Sequence, residues 1–304
     1  MQAISVLQRR IKAKYIIRFA AYVLLIDLSF VFLYPFLYMV VTSLKSPQDI
    51  LDVSVNWLPS GVYLNNYKLA FETLNYPLTL LRTVLFVLAC TAGHILSCSF
   101  VGYGFARFKF TGKNLLFILL LLSIIVPIQT IIIPQYILFA KTGLLRPYLP
   151  MVLPSWLGFG LSGGLFVFIF RQFYLTLPRS LEEAAAIDGC GIIPTFFRIA
   201  FPSSKSPIMV CLVLSLVWHW NDYFEPLIYI TRKEHYLLPM LLPGIYSLMF
   251  RKEQDIPGQE LNNMFTESVV LAATFMVVLP LLVTYIFLQK KFVQGVERSG
   301  ITGE

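Results

Sequence analysis

Few residues in this chain could do chemistry, and they stand apart from one another. Asp27 and His94 are ionisable groups inside long apolar runs, where a charge is costly unless it faces protein or water. Asn221, Asp222 and Glu225 form a polar group near the end of another such run, fit to meet a solute or a partner, or simply to cap a helix end. The four cysteines, Cys90, Cys98, Cys190 and Cys211, show neither CxxC nor Cys/His ligand spacing, which argues against disulfides and metal. There is no G-x-x-x-x-G-K-[ST] phosphate loop, and no cofactor is expected on this chain. Covalent catalysis has no candidate machinery here. Asp27 and His94 could carry protons in a proton-coupled secondary transporter; interhelical hydrogen bonding is the plainer reading of both.

The elements that must position these groups are membrane helices. Of the 304 residues 57% are hydrophobic and 13% charged, with mean hydropathy +0.73, whereas a soluble domain has about a quarter of its residues charged. Six runs are long enough to cross a bilayer, which needs about 20 residues per helix: Phe19–Val41, Leu78–Val101, Leu115–Ala140, Leu149–Phe170, Pro207–Ile230 and Val269–Phe287. They lack the alternation of a membrane β-strand, and hydrocarbon leaves an unpaired amide without a partner, so the expected fold is all-α. One membrane domain over 19–292 follows, between a cytoplasmic N-terminal segment 1–18 and a tail 293–304. The first run starts too far from Met1 for a cleaved signal peptide and is expected to remain as an anchor.

Lys and Arg in the short connections orient the spans. Arg9, Arg10, Lys12, Lys14 and Arg18 precede the first, Arg107, Lys109 and Lys113 follow the second, and Arg171, Arg179, Arg198 and Lys205 lie between the fourth and fifth. With Lys290, Lys291 and Arg298 after the last span, both termini are expected in the cytoplasm. The net charge of +8 then reflects topology and anionic lipid heads, and excludes no membrane function while giving no nucleic-acid footprint. Pro127 and Pro134 should interrupt the third span and Pro280 the sixth. Ala89, Gly93 and Ser97, and likewise Gly160 and Gly164, offer small faces for close helix contact. Trp57, Trp156, Trp218 and Trp220 read as interfacial anchors.

The most informative connection is 177–204. Ser180 can cap a short helix with Glu183 closing a capping box, and Gly189 and Gly191 allow the left-handed turn that ends it. Pro194 suits the start of a second helix, which Pro202 closes. Ala184, Ala185 and Ile187 would give this helix–turn–helix elbow a small apolar face able to enter a groove on another protein, as readily as they would make an amphipathic linker. A second connection, 231–267, is expected outside; its polar tract Arg251–Gly258, with Asn262 and Asn263 beyond it, should protrude into water.

Glu183-Ala184-Ala185, Gly189, Ile199 and Pro202 resemble the EAA signature of ABC importer permeases, E-A-A-x3-G-x9-I-x-L-P, with Asp188 matching a frequent Asp-Gly pair. Phe201 stands where Leu is usual and Cys190 where Ala is usual. Asn66-Tyr67, Tyr103 to Phe108 with Gly112, Pro127, Pro134, Phe173 with Pro178, Trp220 to Tyr223 and Gln289 to Gly295 extend the resemblance over nearly the whole chain, toward the sugar-importing branch and its second maltose-type subunit. Arg82-Thr83 and the long tract Arg251–Gly258 depart from that branch. The resemblance implies a type I ABC importer permease fold in a prokaryotic inner membrane. It implies docking to an ATPase through Glu182, Glu183, Ala184, Ala185, Asp188, Gly189, Ile199 and Pro202. It also implies a second permease subunit, two ATP-binding cassette subunits, an extracytoplasmic sugar-binding protein and an oligosaccharide substrate. A non-transporting membrane scaffold is a further alternative.

Overall fold

The computed structural model describes residues 2–52, 57–250 and 266–300, the side chains of 2–13, 249–250 and 295–300 excepted. Among the described residues every regular element is helical. The tract Arg251–Gly258, with Asn262 and Asn263, lies outside them.

Helix α1 is Gln2–Ser43, followed by the short α2, Pro47–Leu51, and α3, Asn65–Thr73. The long α4 is Tyr76–Arg107. Next come α5, Lys113–Ile125, α6, Ile128–Lys141, α7, Leu149–Trp156, and α8, Gly163–Thr176. The elbow supplies α9, Ser180–Ile187, α10, Ile192–Thr195, a π-helical turn Phe196–Ala200 and α11, Phe201–Ser203. Then follow α12, Lys205–Asn221, α13, Phe224–Tyr229, a 3-10 turn Lys233–His235, α14, Leu238–Phe250, and α15, Glu267–Gly300.

Three helices are long and apolar enough to cross a membrane unbroken: Lys14–Ser43 of α1, α4, and Glu267–Gln294 of α15. Two bent pairs bring the number to five. The expected third span is one of them, α5 and α6 meeting at 105° across Pro127, whose missing N–H and ring end the first helix. Pro134 and Pro280 do not interrupt their helices, which continue through them. The second pair is Ile192–Ser203 with α12, bent by 77° at Ser204. Thus Leu149–Phe170, expected as one span, is instead two helices separated at residues 157–162.

The chain divides into two compact units, residues 1–73 with 245–276, and 74–244 with 277–304. In the first, Asn66 Nδ2 donates to the carbonyls of Ser43 and Lys45 at 2.9 and 2.8 Å, and the Ser43 and Tyr67 hydroxyls pair at 2.7 Å. These bonds pin α3 to the end of α1. Ser46 and Asp49 form a reciprocal capping box on α2. Ser60 donates to the same carboxylate, which its hydroxyl and the Ser46 amide hold below the usual carboxylate range. At the start of α15, Glu267 accepts from the Tyr38 hydroxyl at 2.9 Å.

The second unit is built on α4, packed against α7, α8 and α12. Its core gathers Cys98, Tyr103 and Ala106 of α4, Phe166, Val167, Phe170 and Tyr174 of α8, and Phe196, Ala200 and Cys211 from the elbow and α12. Glycine makes the closest approach possible: a Cβ on Gly102 would stand 2.8 Å from Phe170 Cβ and 3.0 Å from Val167 O. This core roots the elbow.

Candidate functional site

The elbow is held from three sides. At its entrance, Arg107 in the last turn of α4 reaches Glu182, Nε to Oε1 at 2.7 Å, and its Nη2 donates to Leu177 O at 2.6 Å. The two side chains are only 6% and 18% exposed, so neither can exchange its partner for water cheaply. In the middle, Phe196 is buried against Tyr103 at 5.3 Å, Phe100 at 5.1 Å and Phe201 at 5.8 Å between ring centroids. At the exit, the Tyr174 hydroxyl donates to Ser204 Oγ at 3.2 Å.

Between these anchors α9 ends in a Schellman turn. Cys190 N donates to Ala185 O at 2.8 Å and Gly189 N to Ala186 O at 3.1 Å, with Gly189 at φ +80°. Gly191 is extended, φ −71°, so Gly189 alone makes the left-handed turn. Ser180 does not cap: α9 already includes it, Arg179 precedes the helix, and no side-chain cap bond forms with Glu183 at its first turn. Arg107 instead draws Glu182 and the Leu177 carbonyl toward α4 and fixes the entry of the helix. Pro202 lies inside the last turn and not beyond it; the amide of Phe201 bonds to Phe196 O, giving the π-turn just ahead of a residue that cannot donate.

The helix turns two faces to different surroundings. Glu182 and Ala185 point inward, Ala185 5% exposed, while Glu183, Ala184, Asp188 and Gly189 are exposed and Ile187 is 87% exposed. The expected grouping of Ala184, Ala185 and Ile187 therefore splits. Ile192, Ile193 and Phe197 are also exposed, whereas Ile199 is half-buried and Pro202 exposed. The elbow thus presents an apolar outer surface on a rigidly seated base.

A second feature is the interruption at 157–162. Gly158, Gly160 and Ser162 have φ of +73°, +92° and +62°, so Gly160 serves a turn and not a helix face. An unwound stretch inside a membrane helix frees carbonyls that need donors. Helix α4 supplies them: His94 Nε2 donates to Phe159 O at 3.0 Å, Ser97 Oγ to Ser155 O at 2.8 Å, and Cys98 Sγ to Gly163 O at 3.6 Å. Because Nε2 of His94 carries the proton, its Nδ1 must accept, and His219 Nε2 of α12 donates to it at 3.2 Å. The rings are buried and stacked with centroids 5.2 Å apart.

Tryptophans join the same packing. Trp156 lies over Gly93, where a Cβ would stand 2.6 Å away, and its Nε1 donates to Ala89 O at 3.1 Å. Trp218 stacks on Phe166 and Trp220 donates to Val277 O at 3.1 Å. Each of these three has a partner for its N–H or ring inside the protein, so all three take part in helix contacts. The Ala89, Gly93 and Ser97 stripe is the close-contact face expected, and Gly164 packs against Leu120 O.

The remaining candidates are dispersed. Asp27 is exposed on α1. Asn221 donates to Val217 O within its own helix at 2.8 Å, and Asp222 Oδ1 accepts from the amides of Phe224 and Glu225 at the start of α13. Glu225 is buried, with Oε1 unpartnered, as is the Tyr229 hydroxyl. Among the described residues no three His, Cys, Asp or Glu groups are placed to hold a metal.

Residues 99–297 match the family described as binding-protein-dependent transport system inner membrane component. The chain belongs to this family. This membrane component is 29% identical over 279 residues to the arabinooligosaccharides transport system permease protein AraQ of Bacillus subtilis (strain 168), covering 91% of this chain and 92% of that one. It is 30% identical over 272 residues to protein LplC of the same organism, covering 88% and 89%. A solved structure, that of a bacterial ABC transporter involved in the import of the acidic polysaccharide alginate, contains a chain that superposes with TM-score 0.76 at 18% identity, covering 92% of this chain and 98% of that one. That likeness establishes the shared fold, a type I importer permease of membrane-spanning helices.

Proposed function

We propose that the chain is a translocation subunit of an ATP-driven carbohydrate importer, with the elbow as the joint that receives motion from a partner ATPase. The observation that carries this reading is the seating of α9: one face fixed by Arg107–Glu182 and Ala185, the opposite face apolar and exposed at Ala184 and Ile187. A joint that transmits force must be stiff where it meets its own chain and complementary where it meets another. Glu183, Asp188, Gly189, Ile199 and Pro202 shape that joint. A second permease subunit completes the pathway, two ATP-binding cassette subunits bind ATP and Mg, and an extracytoplasmic binding protein delivers the solute. Both termini and the elbow face the cytoplasm. The arabinooligosaccharide and alginate transporters among similar proteins support an oligosaccharide as cargo.

The test is Gly189→Asp, assayed in membranes for ATP-driven uptake and for ATP hydrolysis by the assembled complex. At φ +80° a side chain strains the turn, and the charge stands beside the docking face. Insertion should persist while uptake fails; uptake at the wild-type rate would overturn the docking role.

A further inference from the structure

A pocket of about 300 Å³ lies where α4 gives way to α5, lined by Lys109, Phe110, Gly112, Lys113, Asn114 and Leu115. Arg171 of α8, which packs on the Phe117 ring of α5 one turn beyond Lys113, and Arg179, the residue before α9, add positive charge at this end of the helix. Among the described residues the ion pairs are Arg107–Glu182, Arg232–Glu234 and His235–Glu234, so none of these four cations has an acidic partner there. Lys113 Nζ donates to Phe108 O at 2.9 Å, and the Arg171 guanidinium lies 4.0 Å over the Phe117 ring with its Nε buried and without a hydrogen-bond partner. Like charges at one end of a helix repel one another, and an anion among them relieves that repulsion.

The surroundings specify which anion. Leu115, Leu119 and Leu122 recur on one side of α5 and are each half or more exposed, so an apolar strip rises from the pocket along the helix. A small hydrated anion would use the cations and leave the strip idle. A phosphate group carrying acyl chains uses both.

We propose that this pocket binds the phosphate headgroup of an anionic phospholipid, held by Lys109 and Lys113 in the field of Arg171 and Arg179, with its chains along Leu115, Leu119 and Leu122. The proposal stands independently of the transport reading. Native mass spectrometry of the protein complex in neutral detergent tests it, with phosphatidylglycerol, phosphatidylcholine of the same chains and inorganic phosphate as probes. Phosphatidylglycerol should be retained and phosphatidylcholine lost. Each cation replaced by glutamine should weaken retention roughly fivefold, from the usual contribution of one basic residue near an anionic headgroup, and Lys113→Arg should restore it. Lys109→Gln, at an exposed position, keeps the test open if Arg171→Gln does not fold. Equal retention of the two lipids, or unchanged phosphatidylglycerol retention in Lys109→Gln/Lys113→Gln, overturns the proposal. Displacement of the lipid by inorganic phosphate alone would instead mark a free-anion site, and loss of ATPase co-purification with no change in lipid would mark a protein contact.

Discussion

The elbow at 177–204 and the interruption at 157–162 are both places where an apolar chain stops being a helix, and they are stabilised in opposite ways. The elbow closes its turn with its own backbone, the Schellman bonds from Gly189 and Cys190 returning to α9 itself, and takes a side-chain donor only at its entrance, from Arg107 to Leu177 O. The interruption closes itself only in part, Phe159 N returning to Pro154 O and Gly163 N to Gly160 O, and it and its flanks take further donors from His94, Ser97 and Cys98 on another helix, with His219 behind His94. An exposed connection has water for whatever it leaves unpaired, whereas a break among packed helices must be completed by tertiary contacts.

Breaking the elbow at its single buried ion pair should have the largest effect. Arg107→Ala leaves Glu182 with no cationic partner in a mostly buried site, which costs about 3–5 kcal/mol, and uptake should fall with it. Arg107→Lys, which keeps the charge but loses the second bond to Leu177 O, should retain part of both; thermal unfolding of the purified complex and solute uptake check the pair. A smaller loss is expected at the interruption. His94→Ala strands Phe159 O and the His219 N–H, about 1–3 kcal/mol for a buried group left unmade, and a denaturation series read beside His219→Ala should show the two losses to be non-additive. Additive losses would mean that the two rings do not form one chain of hydrogen bonds. The smallest is Gly189→Ala, where φ +80° costs about 1–2 kcal/mol in the left-handed region; it should loosen only the α9 turn, seen as faster amide exchange confined to the elbow.

The same contrast decides what could be read from residues alone. The elbow's left-handed turn was legible because Gly189 and the helix before it are neighbours in sequence. The Arg107–Glu182 pair was not, because 75 positions separate its members, and without that pairing Ser180 and Glu183 match a capping box. The interruption hid inside Leu149–Phe170 because hydropathy reports transfer into lipid and carries nothing about backbone pairing; Gly158, Gly160 and Pro154 were its only traces. His219 passed unnoticed between Trp218 and Trp220, which looked like a boundary and turned out to be packed. The apolar runs of the three unbroken helices are matched by the structure, because length and hydropathy suffice to define a straight crossing.

The central claim, that the exposed face of α9 is covered by a partner ATPase, is most directly tested at Ile187. In a Cys190→Ser background the other cysteines, Cys90, Cys98 and Cys211, are buried, so Ile187→Cys adds one accessible thiol. Its labelling by a membrane-impermeant maleimide on inverted vesicles would be timed with and without the ATPase subunits. Rapid labelling of the permease alone and strong protection in the full complex is the expected result; equal rates in both would contradict the account.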